Sequence, residues 1–466
     1  MEEGKTALFA GCDWSDQWLD IAALDRAGVL VAETRIFYAE HSDPVAAYLD
    51  FLAPLARRWR STVTGIEEVG LLFARALRAR GMTVVHVDPT LAARHRAARG
   101  IAKSDRADAQ VIAAMVLAGT SRPVVDSSPQ GRALRTIAHT HRCAVEDRAR
   151  AVHRLRAGLV PVWPAAVTAW PSTVGGLAGA QARAVLAAAP GPRAGARLTR
   201  ARLIRLLEHA GRSRRLEDEA ERLHLLFRRP AMLLDPAEED AESIRIRDLV
   251  AEVDHAVHRV ERLEEDLRRC YESHRHYRTV DAVPGIGTIL GAYLLAEIGD
   301  RPADRFATGR ALAAYAGVAP VTWASGTVTR VSLRRGSSTV LRSTLHTAAF
   351  CMAMHSPGAQ RYYRRRREAG DLHATALRKV GRRLVLCLYH CMTTGRPYDD
   401  ATAFAYDPAA EDAPTLNRKA PLSPEEIERA RAMLALPNTS IRAVAAALGV
   451  SGQTISRHVL GRPRTP

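Results

Sequence analysis

The first 90 residues hold apolar runs too short for helices, and the first two of them end in acids. "ALFAGCDW" closes on Asp13, "STVTGIEEVG" closes on Glu67 and Glu68, and "MTVVHVDP" is stopped by Pro89. Apolar runs of this length, bounded by turn signals, read as buried strands. An amphipathic segment, "LLFARALRARG", separates the second run from the third and is closed by Gly81. Strands alternating with helices predict a mixed α/β sheet. "WLDIAALDRAGVLVAETRIFYA" predicts a hairpin turning at Arg26, Ala27 and Gly28. A helix is expected over 43–58, and another after Ser104 completes this domain, 6–125.

The acids form a pattern. Asp13 ends one strand, Glu67 and Glu68 end a later one, and Asp105 and Asp108 stand three apart in "KSDRADAQ". Strand ends on one sheet edge converge, and residues i and i+3 share a helix face. These carboxylates can therefore reach one site. Hard divalent cations such as Mg²⁺ take oxygen ligands, and two of them stabilise both oxygens of a phosphoryl displacement. The competing reading of the pair is structural: Ser104 or Asp105 caps a helix, and Asp108 in its first turn is favoured by the helix dipole. An acid after the first strand, an acid after a later one and DxxD after the last together give the arrangement of the ribonuclease-H-like, RuvC-type nucleases.

Charge points the same way. Lys+Arg is 67 against 50 for Asp+Glu, a formal net charge of +17. Such a surplus favours a polyanion, whose counterions it releases, with nucleic acid first and an anionic membrane surface second. No apolar run approaches the roughly 20 residues of a spanning helix. The start, "MEEGKTALFAG", lacks the basic stretch and apolar run of a secretory signal. A cytoplasmic location, associated with DNA, is expected. Six cysteines without CxxC pairs indicate neither a disulfide framework nor a zinc knuckle. Cys387, His390 and Cys391 on an apolar helix read as small buried side chains.

Residues 130–278 read as long, charged helices. Ile246, Leu249, Val253, Ala256, Val260, Leu263 and Leu267 form an a/d seam, which pairs either with a second chain or with a helix of its own. Residues 186–200 read as a loop. A further domain is expected over 279–397, opening with "VPGIG", where Gly285 and Gly287 suit a helix-hairpin-helix turn whose N–H groups approach phosphate. A tight turn without a ligand is an equal alternative. An acidic, Pro-containing linker, 398–422, leads to a helix-turn-helix over 423–460, with Gln453, Thr454 and Arg457 as its reading residues.

"GCDWSDQWLDIAALD", "GIEEVGLLFARALRARGMTVVHVDP" and "KSDRADAQVIA" resemble the N-terminal Asp-Glu-Asp-Asp domain of the insertion-sequence 110 family of transposases, the 110/116/902 type. "VPGIGTILGAYLLAEIGD" and "RFATGRALAAYAGVAPVTWASGTVTRVSLRRG" resemble that family's C-terminal transposase domain. The resemblance runs from about residue 8 to 400. It implies an α/β RuvC-like domain, a helical or coiled-coil region and a mostly α transposase domain, with the C-terminal helix-turn-helix added outside the usual core.

Carried onto this sequence, the resemblance implies that Asp13, Glu67, Asp105 and Asp108 bind the metal, with Glu68 as the alternative to Glu67. It implies that Ser325, followed by Gly326, attacks a DNA phosphate and forms a covalent phosphoserine. It implies a homo-oligomer, dimer or tetramer, with the acids of one subunit serving the serine of another. It also implies a structured bridge RNA that guides recognition of donor and target DNA. Read from the residues, Ser325 has no His or Asp within several positions, so its activation would fall to the metal held by the acids. Arg330, Arg334 and Arg335 follow it with guanidinium forks suited to phosphate. Two alternatives stand beside this reading. One is a RuvC-like hydrolytic junction nuclease in which Ser325 is structural, and the other a non-catalytic helix-turn-helix regulator.

Overall fold

The computed structural model describes residues 7–68, 72–125, 127–171, 175–325, 328–332, 334, 336–406, 424–434, 441, 444 and 448. Two compact units divide the chain, Met1–Asp126 and Ser127–Pro466. No helix among the described residues is long and apolar enough to cross a membrane.

The first unit runs β1 (Ala7–Trp14), β2 (Trp18–Leu24), β3 (Leu30–Phe37), α1 (Pro44–Leu52), β4 (Ser61–Ile66), α2 (Leu72–Ala79), β5 (Thr83–His86), α3 (Pro89–Ala98), α4 (Asp105–Leu117) and β6 (Arg122–Pro123). The sheet order is β3-β2-β1-β4-β5-β6. Strands β1, β2 and β3 are antiparallel neighbours, β4 lies parallel to both β1 and β5, and β6 closes the edge antiparallel to β5. Side chains alternate across the sheet. Leu8, Ala10 and Cys12 of β1 join Tyr48 of α1 and Phe73 and Leu77 of α2 in one core. Phe9 and Val63 pack on the other face with Ile112 and Val116 of α4.

Two glycines set how close α4 lies. A Cβ on Gly11 would stand 2.1 Å from the Ala109 carbonyl oxygen, and one on Gly65 would stand 2.4 Å from Val116 Cγ2. Any side chain there would lift the helix and its first-turn acids off the sheet.

The local chemistry explains the elements. Asp25 Oδ1 accepts the N–H groups of Ala27 and Val29, and Gly28 takes φ 83° at the β2–β3 turn. The helix expected over 43–58 stops at Leu52. Pro54 follows, and only a 3₁₀ turn at Leu55–Arg57 remains. Helix α3 was not expected from the pattern. Asp88 Oδ1 caps it by accepting from Thr90 and Leu91 N–H, with Pro89 at its first position.

The second unit begins with α5 (Pro129–Val162) and five short helices, α6 (Pro164–Ala169), α7 (Ala180–Ala188), α8 (Pro192–Arg197), α9 (Arg200–His209) and α10 (Leu216–Phe227), before α11 (Pro236–Glu272). The a/d seam finds its partner within the chain. Ile246 and Val253 share a core with Leu155 and Leu159 of α5. Arg154–Glu252 at 2.9 Å and Arg259–Asp147 at 2.8 Å bridge the same two helices. The stretch 186–200, expected as a loop, contains α8. It seats because Gly195 meets the Trp163 ring, where a Cβ would stand 2.4 Å from Cζ2.

The remainder comprises α12 (Tyr277–Asp281), α13 (Thr288–Ile298), α14 (Pro302–Arg305), α15 (Gly309–Tyr315), the hairpin β7 (Val321–Ser325) and β8 (Val328–Ser332), α16 (Thr339–His355), α17 (Pro357–Glu368), α18 (His373–Thr394), α19 (Asp400–Phe404) and α20 (Pro424–Leu434). Leu294, Leu345, Met352, Leu384 and Leu388 form its core, joined by Leu134 of α5 and Leu267 of α11. The start of the expected linker is packed, not free. Phe404 is buried in that core, and Asp400 accepts from Ser356 Oγ at 2.5 Å, Gly358 N–H at 2.9 Å and Tyr398 OH at 2.8 Å. In α20, Ala430 packs with Val444, Ile441 and Leu448. Gln453, Thr454 and Arg457 lie outside the described residues.

A buried histidine pair sits between α11 and α12. His276 donates its backbone N–H to His274 Nδ1 at 3.2 Å, and its Nε2 donates to the Asp300 carbonyl at 3.1 Å. Burial pushes His274 down to about 4, helped by the neighbouring charges of His276 and Arg275 and opposed by Asp300. His276 is also lowered, chiefly by burial. Both rings are therefore neutral when folded. The stability His274 supports is present above the ordinary value of 6.5 and is lost as pH falls from there toward about 4. His274→Asn, whose amide oxygen takes the place of Nδ1, is expected to flatten this acid-side loss in melting temperature between those two pH values.

Candidate active site

The strand registers put one row of charged side chains across the sheet. Arg35 of β3 pairs with Asp20 of β2, and Asp20 pairs with Asp13 of β1. Cys12 pairs with Ile66, so the next position sets Asp13 beside Glu67. Directly paired residues point to the same face. Gly11 lies two residues before Asp13 and faces α4, so the row lies on the α4 side. Helix α4 presents Asp105 and Asp108 in its first turn, and Ser104 Oγ caps it by accepting from Ala107 N–H. Capping and clustering hold together here, because Ser104 does the capping and leaves both aspartates free for other partners.

The cluster is electrostatically crowded. Burial pushes the Asp13 carboxyl up to about 7, and the negative charges of Asp108, Glu67, Asp105 and Asp20 add to the effect. Glu67 is raised by burial and by Asp108, with Arg96 and Lys103 opposing. Of the two adjacent glutamates, Glu67 is half-buried and Glu68 is exposed.

Four side chains that the sequence pattern did not single out hold this cluster. Asp20 is 1% exposed and is gripped by both arms of Arg35, at 2.9 and 2.7 Å. The same guanidinium lies 4.3 Å from the centre of the Trp18 ring. Trp18 Nε1–H donates to Asp105 Oδ2 at 3.1 Å, and Arg96 of α3 pairs with Asp108. No three carboxylate, imidazole or thiol groups among the described residues stand close enough to hold one cation between them. The donor set nonetheless fits a hard divalent cation. It is all oxygen, and Asp13 is short of positive charge.

In the second unit, Ser325 ends β7 and pairs in register with Val328, so it stands at the turn end of the hairpin. Arg330 pairs with Trp323 in the same hairpin, and Arg334 is exposed beyond it. Gly326 and Arg335 lie outside the described residues. A cleft of about 670 Å³, lined by Arg142, Arg342, His346, Arg378 and Val318, opens between α5, α16 and α18. Arg142 comes from a helix far in sequence from those that carry Arg342, His346 and Arg378, so no local motif could have flagged the set. In the "PGIG" turn, Gly285 takes φ 83°, and a Cβ there would stand 2.8 Å from the Cys351 carbonyl oxygen. Its glycine is demanded by packing, while Gly287, just before α13, faces open space. Cys387 and Cys391 lie one turn apart on α18, their sulfurs 3.9 Å from each other.

Two family models match the chain. A model of Asp-Glu-Asp-Asp transposases of the IS110 type matches residues 10–164, and one described as "Transposase IS116/IS110/IS902 family" matches residues 277–364. The IS117 mini-circle protein of Streptomyces coelicolor is 36% identical over 414 residues, covering 87% of this chain and 98% of that relative. The chain belongs to the IS116/IS110/IS902 family of transposases. The IS116 protein of Streptomyces clavuligerus is 28% identical over 355 residues, covering 74% of this chain and 84% of that protein. An IS900 protein of Mycobacterium paratuberculosis is 34% identical over 145 residues, 31% of this chain and 35% of its own length. Membership makes the chain an insertion-sequence transposase, of a class that cuts and rejoins DNA, and domains of its Asp-Glu-Asp-Asp type typically use divalent metals.

Removing one charge from the crowded row should relieve it. In metal-free protein at pH 8, Asp13→Asn is expected to raise the melting temperature of the N-terminal unit by about 2–5 °C, the scale of roughly 1 kcal/mol. Calorimetry checks this.

Proposed function

We propose that this transposase breaks and rejoins DNA strands through a covalent phosphoserine at Ser325, with divalent metal, such as Mg²⁺, held by Asp13, Glu67, Asp105 and Asp108. The observation that carries the reading is the convergence of four acids from β1, the end of β4 and α4 on one sheet face, in a chain whose other matched segment contains Ser325. The strand order β3-β2-β1-β4-β5, with three antiparallel strands leading into parallel ones, supports a ribonuclease-H-like, RuvC-type reading of the sheet.

The chemistry balances without an external energy source. The Ser325 Oγ–phosphorus bond forms as one phosphate ester bond of the strand breaks, and the proton lost by the hydroxyl ends on the departing sugar oxygen. Attack by a sugar hydroxyl of another strand reverses the exchange and restores Ser325. Bound metal would supply Lewis-acid stabilisation of charge on the phosphate oxygens. Asp13 and Glu67 supply fixed ligands from the sheet, and Asp105 and Asp108 supply them from the helix that Gly11 and Gly65 let approach. Arg142, Arg342 and Arg378 offer forks to the DNA backbone in the cleft between α5, α16 and α18. In keeping with the family resemblance, the acids of one subunit of a homo-oligomer serve the serine of another. A bridge RNA supplies sequence recognition, and the net charge of +17 suits both nucleic acids.

Denaturing electrophoresis of the protein with labelled element-junction DNA, element-end RNA and Mg²⁺ tests the proposal. The wild type should give a slow-migrating protein–DNA adduct, and Ser325→Ala should give neither adduct nor cleavage. Asp108→Ala should lower adduct formation by about 10- to 100-fold, in part restored by more metal. Cleavage that survives in Ser325→Ala, with no adduct in either protein, would mean that the acids direct hydrolysis by water.

A further inference from the structure

Asp105 and Asp108 are held in chemically different ways. Asp105 takes a neutral donor, the Trp18 indole, of the kind that a metal-bound carboxylate keeps in its outer shell. Asp108 takes a full positive charge from Arg96, with the two side chains 19% and 14% exposed. Arginine cannot shed its proton to make way. The charge of Arg96, which pairs with Asp108, also acts to lower Glu67. A cation coordinating those two acids would face the guanidinium at close range in a poorly screened setting. The pair is also costly to break without replacement, because an uncompensated buried acid would remain.

We propose that Arg96 is the resident counter-cation of the acid site: it occupies Asp108 in the metal-free protein and leaves that carboxylate when a divalent cation binds. The proposal rests on the reading of the four acids as a metal site, and deepens it. It explains why the acids cluster without three of them standing ready around one point. It also gives α3 a role: Asp88 and Pro89 start the helix that delivers Arg96, and the exposed Arg99 and Lys103 follow toward α4.

The test uses the full chain as wild type, Arg96→Gln, Arg96→Lys and Asp13→Asn. Mn²⁺ binding is followed by the electron paramagnetic resonance of free Mn²⁺, and melting is recorded with and without saturating Mn²⁺. Arg96→Gln should bind Mn²⁺ about 10-fold more tightly or better, the scale of outer-shell effects on a metal site. Its melting temperature should fall below wild type without metal, and that deficit should close with Mn²⁺. Arg96→Lys, which keeps the charge and loses the fork, should lie between, and it carries the test if the glutamine variant does not fold. Unchanged or weaker Mn²⁺ binding, or a melting deficit indifferent to Mn²⁺, overturns the proposal and makes Arg96 a structural ion pair. If wild type binds Mn²⁺, Asp13→Asn does not, and Arg96→Gln matches wild type, the metal site stands and the role of Arg96 falls. If wild type and Arg96→Gln both fail to bind Mn²⁺, both readings fall.

Discussion

Asp13 sits in a row that sets Asp20 and Glu67 at its sides, and α4 brings Asp105 and Asp108 over the same face. Carboxylates crowded in a half-buried site repel one another with little water to screen them. The fold answers this repulsion in three places. Arg35 neutralises Asp20, Arg96 neutralises Asp108, and Trp18 donates to Asp105. Asp13 is left with burial and like charges raising it. The glycines at 11 and 65 matter because they hold α4 against the sheet despite that repulsion. The site therefore stores a demand for positive charge at a defined place.

Part of this was legible in the sequence, and the reasons differ by residue. Asp13 and Glu67 end short apolar runs, so their location at strand ends followed from the length and bounds of those runs. Gly28 marked the hairpin, and counting outward from a turn centred between Ala27 and Gly28 sets Asp20 opposite Arg35, as the register has it. Helix α3 carried a usable signal too, an Asp-Pro start, but the polar, basic "TLAARHRAARG" has no apolar stripe to announce a helix. The pairing of Arg96 with Asp108 lies beyond local pattern, since it depends on how α3 and α4 pack. The a/d seam of α11 predicted which face is buried. It said nothing about the partner, because a heptad pattern describes one helix.

The second unit shows how a motif and its cause can part company. "PGIG" reads as a phosphate-binding turn, yet the first glycine is required by its positive φ and by the backbone of α16 against it. Ser325 illustrates the reverse. Nothing in its neighbourhood distinguishes it from a turn serine, and its place at the turn end of β7–β8 becomes meaningful only beside the family match over 277–364. Of the arginines lining the cleft between α5, α16 and α18, Arg142 comes from α5, and Arg342 and Arg378 come from the other two helices, far along the chain. Only the folded chain gathers them.

We propose that the acid row is completed by a divalent cation. Crystals of the protein soaked in Mn²⁺ and measured at the manganese absorption edge test it most directly. An anomalous peak enclosed by Asp13, Glu67, Asp105 and Asp108, with Arg96 turned away from Asp108, is the predicted result. Crystals that show no peak there, with Asp108 still paired to Arg96, would contradict it.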